Sequence, residues 1–90
     1  MSNNLKNGVW TLFSPMPGMV IEVPVKVGDQ VQEGSPLIII EAMKMQNPIE
    51  SRVAGEVSAI HIKKGQRVYT KDLLVEVKTE GWTEHLLAPA

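Results

Sequence analysis

Apolar and polar positions alternate along this chain in short bursts. Val9 to Phe13, Met19 to Val25, Leu37 to Ala42, Gln46 to Glu50, Gly55 to Ile62 and Leu73 to Val77 each read as a strand. Six prolines and seven glycines punctuate the intervals, so no stretch is left for a long helix. Gly28-Asp29 and Lys64-Gly65 are turn signals between strands. The pattern sets residues 9–79 apart as one domain, with residues 1–8 and 80–90 as tails. Trp82, Leu86 and Leu87 in the last segment read as a flexible end in preference to a docking peptide.

The same pattern occurs twice. A shift of 37 positions places Gly18 on Gly55, Val20 on Val57, Val23 on Ile60 and Val25 on Ile62. The match continues through Lys26 on Lys63, Gly28 on Gly65, Val31 on Val68, and Leu37-Ile38-x-Ile40 on Leu74-Val75-x-Val77. In both copies the apolar spacing jumps by three (Val20 to Val23, Val57 to Ile60) before returning to two, which predicts a bulge at the same place twice. One copy has too few residues to bury its own apolar face. Two interlocked copies making a flattened all-β barrel or small sandwich, with a pseudo-twofold axis, solve that problem. Under the dyad, Glu41 to Asn47 corresponds to Lys78 to Glu84, where the domain ends. The hairpin at 41–47 is therefore expected at the end opposite the termini.

Composition narrows the function. Val and Ile supply 18 of 90 residues and aromatics only 4, which favours sheet over helix. A net charge of -1 with no Lys/Arg block lacks the electrostatic footprint of a nucleic-acid binder or a polybasic membrane anchor. Zero cysteines exclude disulfides, thiolate metal sites and a cysteine nucleophile, and they fit a reducing compartment. The longest apolar run, Leu37 to Ile40, is far too short to span a bilayer. No signal or transit pattern is visible at the N-terminus. No His/Asp/Glu cluster has metal-ligand spacing, and neither a nucleophile elbow nor a phosphate loop occurs. His61 is expected on the exposed face between core-facing Ile60 and Ile62, and Glu41 and Glu50 as solvent-facing strand residues. His85 lies in the tail. Intrinsic catalysis is not expected.

One segment carries chemistry. The hairpin reads Glu41-Ala42-Met43-Lys44-Met45-Gln46-Asn47, with no glycine at the tip. Two-residue hairpins usually take Asn-Gly or Asp-Gly, because positive φ is needed there. A Met-Lys tip gives up that preference. Two methionines facing water also forgo burial worth about 1.5–3 kcal/mol each, unless a partner covers them. The alternative is that Met43 and Met45 fold back as core plugs. A lysine at a hairpin tip, taken alone, is an ordinary solvated residue.

Glu41-Ala42-Met43-Lys44-Met45 resembles the biotin-attachment motif of biotinyl carrier domains in biotin-dependent carboxylases. The resemblance extends over roughly Ser14 to Val77. It includes Ser14-Pro15-Met16-Pro17-Gly18, Val27-Gly28-Asp29-x-Val31-x-x-Gly34, Gly55-x-Val57 and Gly65-x-x-Val68. It implies a barrel-sandwich fold and a covalent biotin on Lys44, joined by biotin protein ligase. Glu41, Ala42, Met43 and Met45 would then be ligase-recognition residues. The tethered biotin would shuttle CO2, as carboxybiotin, between biotin carboxylase and carboxyltransferase sites. Pro17-Gly18-Met19-Val20-Ile21-Glu22-Val23 leaves no room for a protruding thumb, so the chain is more similar to the thumbless carriers of acyl-CoA and pyruvate carboxylases. It would be a non-catalytic carrier in the cytoplasm, or in the mitochondrial matrix if it is an excised domain, with no direct membrane insertion. Two alternatives stand beside this reading. A lipoyl carrier of a 2-oxoacid dehydrogenase or glycine-cleavage system shares the fold and the hairpin lysine, but typically lacks Met on both sides of it. An unmodified barrel-sandwich would make protein contacts only.

Overall fold

The computed structural model describes residues 5, 6 and 8–79. Nine strands are present among them: β1 (Leu5–Lys6), β2 (Val9–Phe13), β3 (Gly18–Glu22), β4 (Gln30–Val31), β5 (Pro36–Ala42), β6 (Met45–Glu50), β7 (Gly55–Ile60), β8 (Arg67–Val68) and β9 (Leu73–Thr79). They form two antiparallel sheets, ordered β1-β2-β9-β7-β4 and β6-β5-β3-β8. The sheets do not close on each other. The architecture is the flattened all-β barrel-sandwich that the repeat predicts.

The 37-residue repeat governs the pairing. β3, β4 and β5 of the first copy recur as β7, β8 and β9 of the second. The copies interlock because each donates its two-residue strand to the other: β4 pairs with β7, and β8 with β3. Matching turns follow the same shift. Gly28 donates to Val57 O and Gly65 to Val20 O, at 2.8 and 2.7 Å, with φ of 99° and 91°. The bulges fall where the apolar spacing jumps, between Val20 and Glu22 and between Val57 and Ala59.

The repeat also reaches further back than Gly18. Ser14 and Ser51 are both buried, and each hydroxyl donates to the carbonyl two residues on, Met16 O and Val53 O, at 2.6 Å. β2 and β6 are thereby dyad mates. Trp10 sits opposite Val77 as Asn47 sits opposite Ile40.

The inward faces meet in a core of short side chains. Val20, Leu37, Ile38, Ile40 and Val68 from one sheet pack with Trp10, Leu12, Val31, Val57, Leu74, Val75 and Val77 from the other. Consecutive buried residues at Leu37-Ile38 and Leu74-Val75 break strict alternation. They sit where the register of β5 against β6, and of β9 against β2, shifts by one. At a bulge two neighbours face the same way, so both can enter the core.

Three differences from the sequence expectations have clear causes. β3 ends at Glu22 and β7 at Ile60, short of Val25 and Ile62, although Val23 and Val25 still pack on the core and Ile62 is buried. Alternation reports which side faces inward, and these segments continue inward without a ladder partner. Pro24, which has no N–H, stands where His61 donates to Leu74 O. β4 and β8 are two-residue strands paired only across the copies, too short for a periodic signal. Leu5–Lys6, within the segment expected as a tail, pairs with Val9 and Trp10. Trp82, His85, Leu86 and Leu87, expected in a flexible end, lie outside the described residues.

Ladder topology also fixes where the hairpin points. Val31 pairs with Gly55, Gly55 with Thr79, and Thr79 N donates to Gly8 O at 2.8 Å. From Val31 the chain reaches Gly34, which donates to Ser51 O, and then enters β5 at Pro36. β5 thus starts near the end where Gly8 and Thr79 meet. It carries Ala42 roughly 20 Å away at the strand rise.

Candidate functional site

The register Ala42↔Met45 leaves a two-residue turn, Met43-Lys44, between β5 and β6. Its φ values are 53° and 65°, both in the left-handed region. A side chain there costs roughly 1–2 kcal/mol per residue relative to a right-handed conformation. The chain uses the usual solution at Gly8, Gly28, Gly34 and Gly65, whose φ values run from 80° to 99°. At the hairpin tip it accepts the strain and keeps Met and Lys. Such strain clusters at functional positions, and among the described residues the only other non-glycine residue that carries it is Lys71, at φ 75°.

The structure brings the five sequence-predicted site residues together at this tip. Lys44 is exposed, and no ion pair among the described residues engages it. Met43 is 93% exposed and Met45 65%, so neither is a core plug. Glu41 faces solvent, opposite Gln46 on one side and Met19 on the other. Ala42 differs from these four in being half-buried. It lies over Gly18, where an added Cβ would stand 2.5 Å from Ile40 Cγ2, 2.6 Å from Glu41 O and 3.4 Å from Ala42 Cβ. Glycine at 18 lets β3 pass close under the hairpin stem.

Sequence reasoning passed over Gly18 and Asn47 as site residues. The Asn47 amide donates to Met45 O at 3.1 Å and to Ile40 O at 3.3 Å, tying the two arms of the hairpin together. The signal that could have found it is the repeat carried back one strand. At that point an asparagine stands in register with Trp10.

Elsewhere the expected bland roles hold. His61 and Glu50 are exposed. His61 Nε2 lies 2.9 Å from Glu76 Oε2, and Glu76 belongs to the sheet that does not carry the hairpin. Among the described residues no group of three or more His, Asp or Glu is arranged to hold a metal. No helix there is long and apolar enough to cross a membrane. The arrangement offers one accessible primary amine on a stiff tip flanked by two exposed methionines. Its chemistry is that of an attachment point: the amine can be acylated, and whatever it carries stands clear of the sheets.

This matches what the comparisons find. The family of biotin-requiring enzymes matches residues 11–77. The biotin carboxyl carrier protein of Streptococcus mutans serotype c is 51% identical over 67 residues, 74% of this chain and 52% of that protein. The mitochondrial propionyl-CoA carboxylase alpha chain of Mus musculus is 52% identical over 68 residues, 76% of this chain and 9% of that one. Among solved structures, a single-chain, multi-domain long-chain acyl-CoA carboxylase superposes with a TM-score of 0.77 at 28% identity, covering 94% of this chain and 8% of that one. The chain spans about half the length of the bacterial relative and a small fraction of the carboxylase chains.

Proposed function

The chain belongs to the family of biotin-requiring enzymes, and from that premise we propose that it is a biotin carboxyl carrier whose attachment residue is Lys44. The observation that carries the assignment is the exposed Lys44 at a strained two-residue turn between two exposed methionines, inside the matched segment. Relatives named as biotin carboxyl carrier protein and propionyl-CoA carboxylase favour biotin over the lipoyl alternative. The residues present fit the group. The amine is accessible, and Met43 and Met45 offer apolar surface beside it.

Each residue then has a part to play. Lys44 Nζ, once deprotonated, attacks the acyl carbonyl of biotin presented as its adenylate by biotin protein ligase, forming an amide as AMP leaves. The four-carbon stem of Lys44 extends the reach of the tip. Glu41, Met43 and Met45 present the exposed determinant that the ligase reads. Half-buried Ala42 sets the hairpin close over Gly18 and adds a smaller surface to the same determinant. Once attached, biotin supplies CO2 carriage on its ureido nitrogen, and the domain supplies a tether that raises effective concentration at successive active sites. Biotin carboxylase and carboxyltransferase components are the partners this requires. No catalytic group on the chain itself is needed.

Co-expression with biotin protein ligase, and separately with a lipoate ligase, followed by streptavidin blotting and intact mass, tests the reading. Biotin on the native chain and none on Lys44→Arg is the expected result. Lipoyl transfer without biotinylation would move the chain to the lipoyl class.

A further inference from the structure

We infer that Asn47 is a positioning residue for Lys44: its amide holds the Met43-Lys44 turn in the left-handed conformation that presents the amine for modification. The inference rests on the carrier assignment of Lys44. Three observations carry it.

The first is a break in the symmetry. Asn47 and Trp10 are dyad mates with equivalent ladder partners, Ile40 and Val77. Trp10 is buried and serves the core, whereas Asn47 is half-buried and polar at the corresponding place. The scaffold tolerates a large apolar group at this register. An asparagine there gives up core packing, so its contribution lies elsewhere.

The second is the bonding. Both partners of the amide, Met45 O and Ile40 O, are carbonyl oxygens, which only accept. The nitrogen of the amide must therefore face them, and no other short side chain of this shape offers two donors. One bond runs back along β6 to the residue following Lys44. The other crosses to β5, so the two arms are clamped within three residues of the tip.

The third is the strain next to the clamp. Met43 and Lys44 both hold positive φ without glycine or asparagine at either position. A two-residue turn with unfavourable local chemistry drifts to other loop conformations unless the flanking pair is held in register. Asn47 supplies that restraint where the turn itself cannot. A flexible tip would present Lys44 in the productive geometry only part of the time, and the apparent rate of modification falls by that fraction.

Asn47→Asp is the sharpest probe. It keeps the side-chain shape while replacing the two donor hydrogens with a carboxylate facing two carbonyls. Asn47→Ala removes the clamp without adding charge. Each variant is examined unmodified by NMR, reading the strong intraresidue HN–Hα NOEs that mark positive φ and the amide exchange at Met43 and Lys44, and then in steady-state biotinylation by ligase. The expected result is weakened intraresidue HN–Hα NOEs and faster exchange confined to the tip. It is accompanied by a kcat/KM for ligase that falls roughly tenfold, the scale on which two hydrogen bonds shift a local equilibrium. Ligation of Lys44 at saturating ligase should still reach completion. Unchanged intraresidue NOEs and amide exchange at Met43 and Lys44 in both folded variants would overturn the inference, whatever the ligase rate. If the native chain is not biotinylated at all, the carrier assignment fails instead, and the NMR result still decides the role of Asn47.

Discussion

The two ends of the pseudo-twofold scaffold start from the same ladder and finish differently. At the end where Gly8 and Thr79 meet, Trp10 fills the core and glycine takes the left-handed position. At the hairpin end, Asn47 replaces the tryptophan, and Met43 and Lys44 occupy left-handed positions that glycine usually fills. One end is built for stability, the other for display. Duplication supplied the framework, and function is written in the departures from symmetry.

The largest test of this contrast swaps its defining residue. Trp10→Asn puts the hairpin-end residue into the core-filling end. It should cost about 3–5 kcal/mol, the usual range for losing a buried aromatic. That is a large part of the 5–15 kcal/mol available to a typical domain, so urea unfolding should show a partly or wholly unfolded chain. A loss below about 1 kcal/mol would mean that the two ends share the packing more evenly than described.

Next come the paired glycines. Gly55→Ala places a Cβ against the Lys78 carbonyl and 2.9 Å from Thr79 Cα, all backbone, whereas Gly18→Ala meets the movable Ile40 side chain as well as Glu41 O. Each should destabilise by about 1–3 kcal/mol, with Gly55→Ala the worse. Thermal unfolding of the two variants side by side checks the ranking. Gly18→Ala should in addition disturb the hairpin stem at Ala42.

Smaller still are the effects expected at the buried hydroxyls of the dyad mates Ser14 and Ser51. Ser14→Ala and Ser51→Ala each leave a carbonyl without its 2.6 Å donor. Ser14→Ala should lose about 1 kcal/mol, and Ser51→Ala somewhat more, because the Ser51 hydroxyl also accepts from Val53 N at 3.2 Å. The smallest effect has the opposite sign. Lys71, at φ 75°, is the dyad mate of Gly34, at φ 95°. Lys71→Gly removes left-handed strain but adds unfolded-state freedom, so a stabilisation below about 1 kcal/mol is expected in the same unfolding experiments.

Much of this was legible before the structure. The repeat from Gly18 to Val77 and the twin bulges follow from apolar spacing, because burial on one face of a strand leaves a period of two. Lys44 stands out instead through the resemblance of Glu41-Ala42-Met43-Lys44-Met45 to a biotin-attachment motif. β4 and β8 did not show, because a two-residue strand has no period and its partner lies in the other copy. The reach of the repeat back to Ser14 was hidden because the strands it joins differ in their side chains: Trp10 and Asn47 share a backbone position and nothing else. Asn47 escaped notice for the same reason. Its meaning comes from two carbonyls brought near it by folding, and no spacing rule encodes that.

The central claim is that a symmetric scaffold displays one chemically addressed lysine. Site-resolved mass spectrometry of the native chain, after treatment with biotin protein ligase, biotin and ATP, tests it most directly. One biotinyl group on Lys44 and none on the other six lysines is the expected result. Modification spread over Lys63, Lys64 or Lys71, or an unmodified Lys44 in the presence of active ligase, would contradict it.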